Sequence, residues 1–210
     1  MALHVYDDEL LTRQLSEGDM TAPDFALLEG EQGSYSDKQL YLAAEHTMLA
    51  EAVSDNATVL IVQDAGRFRN GETIAVGEEQ MLILDGGGTT QFTVQRGYND
   101  TAPVGHNAGA RVTSGYLYYL FGILGIEVSG EQTYPALWCR LAFTREGLDS
   151  AVPGQFLTIP QGGEPVLIRN DQVMTFWRRI SCPPGTPVQF RRDIKWRVWG
   201  IELPIAPPFG

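Results

Sequence analysis

Gln95-Arg96-Gly97-Tyr98-Asn99-Asp100-Thr101, followed by His106-Asn107-Ala108-Gly109-Ala110, closes a stretch of apolar runs and Gly-rich turns that covers residues 57–112. Within that stretch Val59-Leu60-Ile61-Val62 is apolar and β-branched and runs into the turn signal Asp64-Ala65-Gly66. Residues 73–76 and 80–84 form further short apolar runs bounded by Gly71, Gly77 and Asp85. Asp85-Gly86-Gly87-Gly88-Thr89 tolerates positive φ, so residues 81–84 and 91–96 are predicted to pair as a hairpin. Phe92 and Val94 alternate with Gln91, Thr93 and Gln95, which puts one face on a core and the other toward water. The stretch reads as a small β unit of roughly four or five short strands, without catalytic equipment.

On its carboxyl side the pattern lengthens. Residues 116–128, 136–144, 173–181 and 193–203 read as long strands, separated by an irregular stretch at 147–163 and by Pro183-Pro184-Gly185-Thr186-Pro187, where missing donors and fixed φ forbid a continuous ladder. Trp177, Trp196 and Trp199 are expected to fill the core between two sheets. On the amino side, Leu3-His4-Val5-Tyr6 suggests one short strand followed by a long arm that turns at Gly30, Gly33 and Ser34. Leu40 and Leu42 alternate as in a strand, while the Ala-rich continuation to Val53 has helix propensity, so a strand followed by a helical turn is predicted. The tail Pro204-Ile205-Ala206-Pro207-Pro208-Phe209-Gly210 cannot be helical and reads as extended. The expected fold is all-β: an antiparallel β sandwich with a second, smaller, barrel-like β module.

Length and composition agree with two modest β units. The chain has 210 residues, 43% of them apolar and 20% charged, and ordinary domains run roughly 100–200 residues. A formal charge of −11, from 15 basic against 26 acidic residues, argues against DNA or RNA as a ligand. Acid gathers early, in Asp7, Asp8, Glu9, Glu17, Asp19, Asp24, Glu29 and Glu31. Base gathers late, in Arg178, Arg179, Arg191, Arg192, Lys195 and Arg197. That asymmetry suits head-to-tail contact between copies, although a solvated charged face is the plainer reading. Cys139 and Cys182 could form one disulfide, but two buried free thiols of a protein made in a reducing cytoplasm are the favoured reading. No signal-peptide pattern opens the chain, and its longest apolar stretch, 116–128, holds two glycines and falls short of the about 20 residues of a membrane helix, so no membrane is expected.

The chemistry-bearing residues do not assemble into a recognisable site. His4, His46 and His106 are scattered and neither cysteine lies in a CxxC pair, so no metal is expected. Gly86-Gly87-Gly88 lacks the Lys and Ser or Thr of a phosphate loop, so no cofactor is expected. Glu78 beside Glu79, and Asp7 beside Asp8, would face opposite sides of a strand and could not converge on one glycosidic bond. His106, with Asn107, Thr113 and Ser114 near it, has no nucleophile elbow. No catalytic residue is assigned. Arg96, at a strand end, can instead donate to several loop carbonyls, and Gly97 lets the chain turn at once beyond it. Thr101 and His106 can hold the long return to Gly109 and Ala110, which makes Arg96, Gly97, Thr101, His106 and Gly109 a loop-organising set.

Ala65-Gly66-Arg67-Phe68, the run Gly71-Glu72-Thr73-Ile74-Ala75-Val76-Gly77-Glu78-Glu79, Thr93-Val94-Gln95-Arg96-Gly97, Thr101 and His106-Asn107-Ala108-Gly109-Ala110 together resemble a β module. The module recurs in tail, baseplate and fibre-associated proteins of tailed bacteriophages, in the order G-F, G-x-I-x-x-G-x-E, T-V-x-R-G, G-T, H-x-x-G-A. Asp100 stands where that pattern usually has Gly. Tyr6-Asp7-Asp8 with Gly33 and Lys38-Gln39-Leu40-Tyr41-Leu42, and later Phe176-Trp177-Arg178-Arg179-Ile180 with Pro184-Gly185-Thr186-Pro187 and Asp193-Ile194, look like a virion β-sandwich domain. The resemblance implies a discontinuous sandwich of residues 1–54 and 114–210 with the module 55–113 inserted. It also implies a structural component of the virion (tail, baseplate or neck), assembled in the host cytoplasm from copies of itself and other virion proteins, and no enzymatic activity. The alternative is a module binding host glycans or a receptor through Tyr98, Tyr116, Tyr118 and Tyr119; a β-sandwich hydrolase stands behind both.

Overall fold

Strands form in three runs along the chain. First come β1 (Leu3–Tyr6) and β2 (Ser34–Ala44). The second run is β3 (His46–Met48), β4 (Val59–Ile61), β5 (Thr73–Val76), β6 (Glu79–Asp85), β7 (Gln91–Gln95) and β8 (Arg111–Ser114). The third is β9 (Tyr116–Ser129), β10 (Gln132–Pro135), β11 (Cys139–Ala142), β12 (Leu157–Thr158), β13 (Val166–Ile168), β14 (Val173–Cys182) and β15 (Ile194–Pro204). The structure is a computed structural model that describes residues 3–17, 21–64, 68–130, 132–158, 166–189 and 191–204. The turn expected at Ala65-Gly66, the Gly163 end of the irregular stretch and the tail beyond Pro204 lie outside the described residues.

The fold is all-β, an antiparallel sandwich plus a barrel-like unit. One layer of the sandwich has the order β1-β2-β14-β11. The other is built on β9, which pairs with β15 along one edge and with β13, β12 and β10 along the other. Alternation in β2 sends Leu40 and Leu42 inward, and they meet Phe176, Tyr118, Leu120 and Ile123 in one buried cluster. Each large side chain buried there contributes about 1.5–3 kcal/mol. Both cysteines are free and buried, and burial pushes the Cys139 thiol up to about 12.

The helical turn expected after Leu42 does not form. Ala43 and Ala44 pair with His4 and Leu3, Ala43 pairs with Val173 on its other side, and the chain passes through Glu45 straight into β3. Cross-strand pairing there overrides Ala helix propensity. The tryptophans also divide differently from expectation. Trp196 packs on the sandwich core, edge-on to Phe176 with ring centroids 6.3 Å apart, but Trp177 is half-buried and Trp199 exposed. The pleat explains both, since Phe176 and Arg178 take the inward positions of β14 while Trp196 and Val198 take those of β15. The strand expected at 136–144 shortens to β11, and the stretch after it contains a one-turn helix, Gly147–Ser150, and the short β12. Neither β10 nor β13 is marked by alternation in the sequence.

The second run of strands is a six-stranded sheet of order β3-β8-β5-β6-β7-β4. It curls until its two ends meet: Leu49 bridges Val62, the Ala50 amide donates to the Ile61 carbonyl at 2.8 Å, and the Gln63 amide donates to the Met48 carbonyl at 2.8 Å. Its interior is apolar, with Leu49, Val53, Leu60, Phe68, Ile74, Met81, Ile83 and Phe92 among the buried residues. Strand pairing carries this unit from His46 to Ser114, wider than residues 55–113, because β3 pairs with β8 and Leu49 and Val53 belong to its core. Its entry and exit lie side by side, where the Ser114 amide donates to the Glu45 carbonyl at 3.1 Å and the Gly115 amide to the Thr73 carbonyl at 2.7 Å.

An arginine sits fully buried in the sandwich. Arg178 donates Nε and NH2 to the two carboxylate oxygens of Asp24, both at 2.8 Å, and NH1 to the Ser36 carbonyl at 2.9 Å. Lys38 Nζ reaches the same carboxylate at 3.0 Å. The pair thereby ties the arm to β14 and β2. Replacing Arg178 by Met is expected to cost about 3–5 kcal/mol, because it strands the Asp24 charge away from water. Urea melts of R178M and of D24N/R178M check this, the double variant recovering part of the loss.

Candidate functional site

Chemistry-bearing side chains converge at one end of the barrel-like unit, on a carboxylate. Glu79 opens β6, and its partners on that face of the strand are the buried Met81 and Ile83. The same alternation that buries them carries Glu79 inward, and its side chain is 0% exposed. Arg96, just past the end of β7, meets it with a two-pronged contact, Nε to Oε1 at 2.7 Å and NH2 to Oε2 at 2.8 Å. The Gly97 and Val104 amides donate to the carboxylate at 3.3 and 3.2 Å, and His106 Nε2 donates at 2.8 Å. Burial alone would push the Glu79 carboxyl up; Arg96, His106 and the two amides outweigh it and hold the group below its usual range.

Arg96 also organises the surrounding backbone. NH1 donates to the Ser54 carbonyl at 2.7 Å and the Ala57 carbonyl at 2.9 Å, and NH2 donates to the Val104 carbonyl at 2.7 Å. Two loop segments that are far apart in sequence, 54–57 and the one at Val104, are thereby gathered on one guanidinium. Gly97 has φ +60°, and a Cβ there would come within 2.8 Å of the Thr101 carbonyl oxygen, so the turn requires glycine. Asn99 and Asp100 follow with φ of +54° and +59°. Asp100, at the place where the resembling pattern has Gly, therefore holds the left-handed conformation that Gly adopts without strain. Asn99 steadies the turn by donating Nδ2 to Gln80 Oε1 at 2.8 Å.

Thr101 and His106 close the loop at opposite ends. Thr101 Oγ1 accepts from the Gln80 amide at 3.0 Å and donates to the Tyr98 carbonyl at 2.9 Å. His106 joins Val53 through reciprocal backbone bonds of 2.8 Å while its ring holds Glu79. Gly109, with φ +79°, donates its amide to the Leu49 carbonyl at 2.8 Å, where the curled sheet closes. Sequence reasoning named five of these residues and missed their hub. In the sequence Glu79 is half of an acidic pair and the last residue of the G-x-I-x-x-G-x-E run, yet its spacing from Met81 and Ile83 already places it on the core face.

The Glu79 carboxylate accepts from Arg96, His106 and the Gly97 and Val104 amides, all donors of its own chain, so what the cluster does chemically is hold a loop. The other acidic pair is spent similarly: Asp8 accepts from the Thr12 and Arg13 amides at 3.0 and 2.7 Å, while Asp7 pairs with Lys38. Tyr118 is buried in the sandwich core and bonded to Ser114, Tyr116 packs against that core, and Tyr98 lies in the barrel-like unit's loop, so these tyrosines do not share one exposed face. A cleft near β12, lined in part by Thr144, Ser150, Gln155 and Phe156, has no titratable side chain among its lining residues. Among the described residues, no group of three or more His, Cys, Asp or Glu could hold a metal ion, and no helix is long and apolar enough to cross a membrane.

No family model, curated protein or solved structure matches this chain.

Glu79→Gln keeps the shape of the side chain and removes the charge that Arg96 and His106 share. It is expected to lower stability by about 3 kcal/mol or more and to speed amide exchange at Gly97 and Val104, read by denaturant melts and hydrogen exchange. The pH dependence has a definite sign. Because the folded Glu79 is held below its ordinary value of 4.5, its contribution is full above that value and is lost as pH falls through the folded one. The gap between wild type and E79Q should therefore shrink in acid; a gap that stays constant from neutral pH to the acid limit of folding would contradict the assignment.

Proposed function

We propose that this chain is a structural component of a tailed-phage virion, in the tail, baseplate or neck, and that it works through protein-protein surfaces. The observation that carries the reading is the convergence at Glu79. Glu79, Arg96, Gly97, Thr101 and His106 are residues of the resembling phage-tail pattern, and each contacts another of them or the loop they hold. A pattern made of mutually bonded loop anchors marks a shared scaffold and not a shared reaction. The surfaces left for partners fit the same reading: exposed apolar side chains such as Phe25, Leu27, Ile201 and Leu203 occur on the arm and on a sandwich strand, outside the closed unit.

The test is direct. Particles purified from an infected culture and analysed by mass spectrometry should contain the protein at a fixed ratio to the other virion proteins. The purified chain should form rings, tubes or fibres in negative stain. Absence of the protein from purified particles would reject the proposal.

A further inference from the structure

β15 is paired with β9 along one edge, and among the described residues no strand pairs with its other edge. Its outward positions are Lys195, Arg197, Trp199, Ile201 and Leu203, with Trp199 37%, Ile201 51% and Leu203 40% exposed. An open edge of eleven residues is a template for another strand. The chain also carries a segment suited to it. In residues 23–30, exposure alternates with a period of two, Phe25 and Leu27 outward at 60% and 86% and Asp24 inward on Arg178. That alternation is the signature of extended backbone, yet among the described residues no backbone hydrogen bond pairs Phe25, Ala26 or Leu27.

The two rows match in one direction. Laid antiparallel, Phe25 falls opposite Ile201 and Leu27 opposite Trp199, and the turn that follows, where the Glu29 amide donates to Ser34 Oγ and the Gln32 amide to the Glu29 carboxylate, carries Glu29 and Glu31 toward Arg197 and Lys195. Laid parallel, with Phe25 opposite Lys195, the acidic residues meet Trp199 and Ile201 instead. Opposite charges and apolar pairs across adjacent strands are each favourable, and like with unlike is not. The segment is anchored to its own molecule by Asp24 on Arg178 and by the Thr186 amide on the Gly30 carbonyl, which holds it extended before any partner arrives. We infer that residues 24–28 of one copy add as an antiparallel strand to the β15 edge of the next, giving a head-to-tail contact between copies of this chain. The inference rests on the virion reading above and deepens it by naming the surface.

Leu27→Glu spoils the donor, and Ile201→Glu spoils the acceptor; both side chains are exposed, so the fold should persist, as a thermal melt verifies. Sedimentation of the full chain across concentration should show self-association that weakens with salt and is at least about tenfold weaker in either variant. Mixing the two variants should give a one-to-one dimer and nothing larger, because each keeps one intact surface. The inference is overturned by a monomeric wild type, by either variant associating as wild type does, or by a mixture that stays monomeric. If both variants still assemble as wild type, the contact lies elsewhere while the virion reading stands. Absence from purified particles strikes the virion reading alone.

Discussion

A carboxylate removed from water must be matched donor for donor, and around Glu79 that requirement decides the path of the chain. The donors come from Arg96, Gly97, Val104 and His106, so the loop after β7 has to fold back over the start of β6 before it can leave for β8. Arg96 then spends its remaining nitrogens on Ser54, Ala57 and Val104, which draws the segment before β4 into the same node. Leaving any one of these groups unpaired would cost more than the pair contributes in net terms, and this asymmetry makes the node a constraint on the loop more than a source of stability. The sandwich uses the same device once more, with Arg178 as the buried member and Asp24 as the group it recruits.

These two nodes make different elements immobile. Around Glu79 the fixed object is a loop with two non-glycine residues in the left-handed region, a conformation that persists only where its surroundings over-determine it. At Arg178 the fixed object is an arm with no regular hydrogen bonding of its own between Pro23 and Leu28. Both are polar contacts placed where apolar packing has nothing to grip. The apolar clusters, by contrast, come mainly from the strands: one fills the sandwich, one fills the curled sheet, and a small third joins Tyr6, Leu11 and Ala43.

Much of the fold was legible in the sequence wherever period and position agreed. Phe92 and Val94, Leu40 and Leu42, and the glycines after Asp85 all pointed to the elements observed, because side-chain alternation and turn chemistry are local properties. Gly86 shows how tight that turn is, since a Cβ there would lie 2.0 Å from the Gln91 carbonyl oxygen. What escaped was decided at a distance. The Ala43-Ala44 segment carries helical propensity and is made a strand by Leu3, His4 and Val173; Trp177 and Trp199 look like core residues by type and are turned outward by the pleat. The hub of the site escaped for another reason: a Glu beside Glu78 and Gln80 reads as part of a polar turn until its partners, brought from the end of β7 and the following loop, are known.

Closure of the curled sheet at Leu49 and Val62 has a consequence for how such a chain can be built. A sheet whose last strand is bonded to its first presents no ladder for a stranger to extend, and its way in and way out are joined by the bond between Glu45 and Ser114. The sandwich meets it beside that bond, where Asn170 donates Nδ2 to Thr113 Oγ1 at 2.8 Å and the Tyr6 ring lies against His46. The curled sheet thus adds a body to the sandwich without adding a strand edge that asks to be paired.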